Sequence, residues 1–274
     1  MNFLISDFMV RVPEDEESFP FVTILIPTFN CSQILPYTLD SIIAQDYPCY
    51  EILIIDGGST DRTLEILHGY HPSIRLCSAL TYNVYAILNQ GIALAKGQYI
   101  NMLFPGDAYI FSRTLEQMMS LALQERLPDL VYCATLLHDG RSEGKFLFRY
   151  LSFSLLKRGQ QPTCLQACWF RKNVFDVLGD FRLDFEMRGG FDFFCRFCLS
   201  RSLRFIAHKR AYVDFDLRGV TSSMVIRHFW ETAQTIYTYF GKWALLKWLM
   251  RQKDVKRFVS LLLKRLKMAF VERR

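Results

Sequence analysis

Two apolar runs of this 274-residue chain end abruptly in polar loops, and those loops carry residues able to do chemistry. Residues 22–26 (VTILI) run into Pro27-Thr28-Phe29-Asn30, and residues 51–55 (EILII) run into Asp56-Gly57-Gly58-Ser59-Thr60-Asp61. A carboxylate at the end of a buried strand, as Asp56 would be, can accept two hydrogen bonds from a nucleobase edge or a ribose diol. A plainer use competes with this one. Asp56, Ser59 and Asp61 can simply turn the chain, with Ser59 or Thr60 capping a helix that starts near Arg62. Turn chemistry alone does not require two such loops side by side, so the expectation is a ligand at Asp56. Three further carboxylates stand beside helical patterns: Asp107, Glu186 and Asp192. Asp107 can cap a helix near Ser112, and Asp192 can cap one over 193–203.

Positioning these groups needs a sheet. Between the two runs, residues 34–45 place Leu35, Leu39, Ile42 and Ile43 at helical spacing, giving a strand–helix–strand unit. Neither run alternates apolar with polar, which fits a parallel sheet covered on both faces. In such sheets ligands bind at the carboxyl ends of the strands, where Asn30 and Asp56 fall. The pattern continues with a helix at 63–70, a strand at 74–78 and a strand at 97–103. An amphipathic helix at 112–124 and a buried strand at 128–137 follow. A short strand lies within 202–216, a helix spans 226–241, and one or two basic helices occupy 243–250 and 255–271.

Composition narrows the classes. With 51% hydrophobic and 15% aromatic residues, the chain suits one globular domain of ordinary to large size, or a domain plus an appendage. The net charge of +6 is uneven: residues 242–274 hold eleven Lys or Arg against Asp254 and Glu272, so the rest sums to −3. The core domain therefore lacks the charge of a nucleic-acid binder. No signal peptide is expected at the start, and no stretch reads as a membrane span. The eight cysteines read as reduced, buried side chains. The pairs Cys164/Cys168 and Cys195/Cys198 lack the histidine spacing of a zinc site. Trp243, Leu246, Trp248 and Leu249 among Lys242, Lys247 and Arg251 suit an anionic membrane surface.

"VTILIPTFN" followed by "EILIIDGGSTDRTLEIL" resembles the nucleotide-binding half of family 2 glycosyltransferases, which have the GT-A fold. The resemblance implies an α/β fold: a mixed, mainly parallel sheet flanked by helices, with C-terminal amphipathic helices added. It implies a flexible leader over 1–20, a GT-A domain over 21–225 and a basic helical extension over 226–274. It also implies transfer of a sugar, with inversion, from a nucleotide-diphosphate donor (a UDP-sugar) to a glycan or lipid-linked acceptor. Asp56, with Pro27, Thr28, Asn30 and Ser59, would contact the nucleotide. Asn89, Arg196 and Arg218 would complete the donor site. Asp107 would hold Mg2+ or Mn2+, and Asp192 or Glu186 would take the acceptor proton. The setting implied is cytoplasmic, peripheral on the inner face of the membrane, in polysaccharide or cell-envelope synthesis.

The chain also departs from the family pattern. "PTCLQACWFRKNVFDVLGDFRLDFEMRGGFDFFCRF" matches it at Gln166, Phe170, Arg171, Gly179, Phe181, Asp192 and Arg196, and "YNVYAILNQGI" matches at Tyr85, Asn89 and Gly91. Ala86, Gly106 and Gly190 stand where the family usually has carboxylates. Asn89 can be a helix-surface amide, and Gly91 can mark close helix–sheet packing. The alternative to an enzyme is a catalytically impaired relative that keeps the fold as a nucleotide-binding or scaffold module.

Overall fold

Alternate side chains of the first apolar run go to opposite faces of one sheet. In the computed structural model, which describes residues 19–79, 81–138, 144–217 and 222–252, strand β1 spans Val22–Thr28 and is buried along its whole length. Val22, Ile24 and Ile26 enter one apolar cluster and Leu25 enters the other. Strand β2 (Tyr50–Asp56) divides in the same way, Ile52 and Ile54 against Leu53 and Ile55. Burial on both faces is why these strands show no polar alternation.

Helix α1 (Leu35–Ile43) covers the first face, and helix α2 (Thr63–Gly69) adds Leu67 to that cluster. Strand β3 (Ile74–Ser78) leads to helix α3 (Val84–Leu94) on the opposite face. Strand β4 (Tyr99–Met102), the two-residue strand β5 (Ala108–Tyr109) and helix α4 (Thr114–Gln124) come next. Strands β6 (Leu130–His138) and β7 (Lys145–Leu147) pair antiparallel. Helix α5 (Phe153–Leu156), strand β8 (Cys168–Arg171) and helix α6 (Asn173–Leu178) precede helix α7 (Gly189–Leu199). Strand β9 (Phe205–Asp216) and helix α8 (Ser222–Leu249) complete the described elements.

The sheet order is β3-β2-β1-β4-β8-β6-β9-β5, with β7 beside β6. The first four strands in this order are mutually parallel, so Asp56, Thr28 and Met102 end on one edge. The remaining strands mix both senses. Two close approaches set helix and loop heights on the sheet. A Cβ on Gly91 would lie 2.2 Å from Leu25 Cδ1, and one on Gly97 would lie 2.3 Å from the Thr23 backbone nitrogen.

Several boundaries differ from the sequence reading. The short strand expected within 202–216 is the twelve-residue β9, long because it pairs with both β6 and β5. The helix expected from residue 193 begins at Gly189, so Asp192 lies inside its first turn and does not cap it. The expected boundary at 241 does coincide with a break: α8 is two helical stretches that meet at Gly241, whose φ of 77° and ψ of 176° are not helical and whose φ only glycine adopts easily. The expected helix at 255–271 lies outside the described residues.

Candidate active site

The two loops after β1 and β2 interlock through side chains. Thr28 and Asp56 are register partners at the strand ends, and the Thr28 hydroxyl donates to Asp56 Oδ1 at 2.8 Å. The Ser59 hydroxyl donates to the same oxygen at 2.6 Å, while the Gly58 and Ser59 N–H groups donate to Oδ2 at 3.0 and 2.8 Å. Asp56, 2% exposed, thus fills the roughly four acceptor positions of a carboxylate. Ser59 Oγ in turn accepts the Asn30 N–H at 2.9 Å. Asn30 Oδ1 accepts the Thr60 N–H at 2.8 Å. Asn30 sits at φ 47°, a left-handed conformation that asparagine tolerates better than most residues.

The opening of α2 is held by Asp61, not by Ser59 or Thr60. Its Oδ1 accepts the Thr63 N–H at 2.9 Å, and its Oδ2 accepts the Ser32 N–H at 3.1 Å. These bonds, those of Thr63 first, hold the Asp61 carboxyl well below the usual carboxylate range. Ser59 is occupied with Asp56 and Asn30, which is why the neighbouring acid takes the helix end.

Asp107 lies beyond the end of β4 and is 3% exposed. Gln166 Nε2 donates to its Oδ2 at 2.8 Å and the Asp216 N–H to its Oδ1 at 3.2 Å. Burial pushes its pKa up to about 7, against the lowering effect of these bonds and with a smaller push from the Asp216 charge. Gly106 explains the missing second acid locally. Its φ is 96°, which strains any L side chain, and a Cβ there would lie 3.8 Å from Asp216 Oδ2. Strand β9 thus sets another carboxylate beside the position. For a divalent cation the donor chemistry is suitable: a buried carboxylate with neutral hydrogen-bond partners and hard oxygen character. Among the described residues no group of three or more His, Cys, Asp or Glu converges, so protein ligands alone would not complete a shell.

A third cluster forms around the start of α7, which carries the two base candidates. Asp192 is fully buried; Arg196 Nε donates to its Oδ2 at 3.0 Å and the Tyr239 hydroxyl to its Oδ1 at 2.7 Å. Arg196 also donates to the carbonyls of Leu178, Gly179 and Asp180. Its guanidinium is therefore held inside this cluster. The Glu186 side chain is 61% exposed and pairs with Arg227 at 3.2 Å. Its backbone belongs to a tight clamp: the N–H groups of Glu186, Met187 and Arg188 all donate to the carboxylate of Glu231, at 2.9, 2.9 and 2.7 Å. The Gly189 N–H donates to Tyr85 Oη at 2.8 Å. Position 190 has room for a side chain, since a Cβ there would meet Leu165 at an ordinary 3.7 Å.

The remaining expected residues divide. Pro27 is buried inside β1. Asn89 exchanges two hydrogen bonds with the Phe181 backbone, at 2.8 and 2.9 Å, and so clasps α3 to the chain before α7. Arg218 lies outside the described residues. The structure therefore brings together Thr28, Asn30, Asp56 and Ser59 as one group and Asp192 with Arg196 as another, with Asp107 bonded to Gln166. Glu231 and Tyr239 escaped the sequence reading because both are spaced like ordinary helix-surface residues.

A protein-family model described as glycosyl transferase family 2 matches residues 23–179. The chain belongs to glycosyl transferase family 2. A "PGL/p-HBAD biosynthesis glycosyltransferase" of Mycobacterium bovis is 31% identical over 218 residues, covering 77% of this chain and 82% of that protein. The chondroitin synthase of Pasteurella multocida is 28% identical over 155 residues, 56% of this chain but 16% of the synthase. Among solved structures, S. aureus TarS 1-349 in complex with UDP-GlcNAc aligns with TM-score 0.66 at 18% identity, covering 84% of this chain and 72% of that one. The Pyrobaculum calidifontis mannosyltransferase PcManGT, in complex with GDP-Man and Mn2+, aligns with TM-score 0.61 at 17% identity over 94% of this chain and 83% of that one. The fold of this glycosyltransferase is thus GT-A, and the protein is an enzyme of a transferase family.

Proposed function

We propose that this family 2 glycosyltransferase moves a sugar, with inversion, from a nucleotide-diphosphate donor of the UDP-sugar type to a glycan or lipid-linked acceptor. The observation that carries the reading is the interlocked Thr28–Asp56–Ser59–Asn30 group at the carboxyl edge of the parallel strands, the edge where α/β sheets bind ligands. Asp56 fixes the loop against which the nucleotide rests. It gains an acceptor position for base or ribose when the Ser59 hydroxyl turns away. The relatives named for PGL/p-HBAD biosynthesis and for chondroitin synthesis support a lipid or glycan acceptor at the cell envelope. The solved neighbours that hold UDP-GlcNAc or GDP-Man support the donor class.

Asp107 would hold Mg2+ or Mn2+, with diphosphate oxygens and water supplying the other ligands. When bound, such a cation neutralises charge on the leaving diphosphate. The acceptor proton goes to a carboxylate on the α7 side. Of the two candidates, Glu186 has the exposure an incoming hydroxyl needs, while Asp192 acts from beneath by fixing Arg196 and Tyr239. The enzyme works in the cytoplasm at the inner face of the membrane. No helix of the described residues is long and apolar enough to cross a bilayer.

Calorimetric titration with UDP, with and without manganese, tests the donor site. Manganese-dependent binding weakened at least tenfold by both Asp56→Ala and Asp107→Ala is the expected result. Failure to bind UDP, GDP and TDP alike would overturn the assignment.

A further inference from the structure

Helix α8 presents two different faces beyond its bend at Gly241. On one face Ala244, Leu245, Trp248 and Leu249 pack against the core, and Trp248 is 5% exposed. On the other stand Trp243, Leu246 and Met250, exposed at 75%, 50% and 43%. Their spacing of three and four residues makes them one stripe. At about 100° per residue, Lys242 falls on one flank of the stripe and Lys247 on the other, with Arg251 beyond Lys247. The Lys242 ammonium lies 5.8 Å from the Trp243 ring centre, a cation at the rim of the apolar strip. No acidic residue occurs between Glu231 and Asp254.

This combination selects its partner by chemistry. An indole, a leucine and a methionine between lysines match the boundary between headgroups and acyl chains, with the cations among anionic headgroups. A second copy of the same face would set lysine against lysine with no carboxylate to offset them. We propose that residues 242–251, the end of α8 and the turn that follows it, dock on an anionic lipid bilayer. Trp243, Leu246 and Met250 enter the interface, and Lys242, Lys247 and Arg251 meet the headgroups. The binding itself stands on α8 alone; its use in catalysis rests on the reading that the acceptor is met at a membrane. The part of α8 before Gly241 grips the α7 entry through Glu231 and Tyr239, so the docking residues follow directly, across that bend, the stretch that holds the acceptor segment.

The test is flotation of the full-length protein with vesicles of phosphatidylcholine alone or mixed with phosphatidylglycerol, at low and high salt, beside UDP calorimetry. Binding to the anionic vesicles should fall at least tenfold on neutral vesicles or in high salt. The double variant Lys242→Glu/Lys247→Glu and the variant Trp243→Ser should each lose about tenfold, with UDP affinity unchanged. A tryptophan emission blue shift on vesicle binding should disappear in Trp243→Phe. The proposal is overturned if the wild type does not bind anionic vesicles, or if both variants bind like the wild type. It also fails if the variants abolish a dimer and not vesicle binding. A wild type that binds UDP but not anionic vesicles would count against this docking surface alone, and one that binds anionic vesicles but not UDP would count against the donor site alone.

Discussion

Asp56, which we propose contacts the nucleotide, is in the structure the knot of its own loop. Its four acceptor positions are taken by Thr28, Gly58 and two groups of Ser59. Ser59→Ala removes one of these bonds and the Asn30 contact at a cost of about 1 kcal/mol. It also frees an acceptor position, so UDP affinity should hold or rise, while Asp56→Asn should lower it at least tenfold. Calorimetry of the two variants side by side checks this, and a fall in both would remove Asp56 as a ligand group. Asp107 gives a pH prediction. Because its folded pKa is raised to about 7, the stability it contributes is complete below the ordinary carboxylate pKa and is lost as pH rises through about 7. The whole span corresponds to on the order of 4 kcal/mol. In metal-free buffer the unfolding midpoint should drop by roughly 5 to 10 °C between pH 5 and pH 7. Asp107→Asn should flatten that slope, and a slope unchanged in the variant would show that Asp107 is not its source.

Among the elements, the entry to α7 is organised from outside itself. Four successive N–H groups, Glu186 to Gly189, donate to side chains of α8 and α3, three of them to the buried carboxylate of Glu231. A carboxylate at the start of a helix also opposes the positive end of its dipole. Glu231→Ala should destabilise the protein by about 3 kcal/mol, since buried donors are left without partners. Hydrogen exchange at 186–188 should quicken more than elsewhere, and Glu231→Gln should restore part of the protection. Helix α3 is set by contact instead. Gly91→Ala drives a methyl into the flexible end of Leu25 and should cost about 1–3 kcal/mol. Gly97→Ala meets backbone and should cost more; equal unfolding midpoints for the two variants would contradict this account.

On the scale of the whole molecule, α8 is not peripheral to the packing. Ala233, Ile236 and Trp248 belong to the same apolar cluster as Leu25, Phe170 and Phe193, and Tyr239 reaches the fully buried Asp192. Ending the chain at residue 221 would expose this cluster and leave the Asp192 and 186–188 partners unmet. Such a truncation should be insoluble or melt at least 10 °C lower. Thermal unfolding and calorimetry of this truncation check the outcome, and a soluble, UDP-binding chain ending at 221 would make α8 dispensable.

The parallel strands β1 and β2, the helix between them and the edge that carries Asn30 and Asp56 are legible in the linear chain. Continuous apolar strands stopped by turn residues can form little else than a sheet buried on both faces. It also located Asp107, Glu186 and Asp192, because carboxylates beside element ends are visible in a linear text. The Asp192–Arg196 pair sits at a helical spacing of four, but the fold alone adds Tyr239 above Asp192, the left-handed backbone at Gly106 and the hold of Glu231 on the loop of Glu186. The Glu231 and Tyr239 contacts join residues 45 and 47 positions apart, and the Gly106 requirement is a backbone angle; no local spacing encodes either. For the same reason Trp243 and Trp248 look alike in the sequence, yet one faces solvent and the other the core, because the bend at Gly241 fixes which side of the helix turns inward.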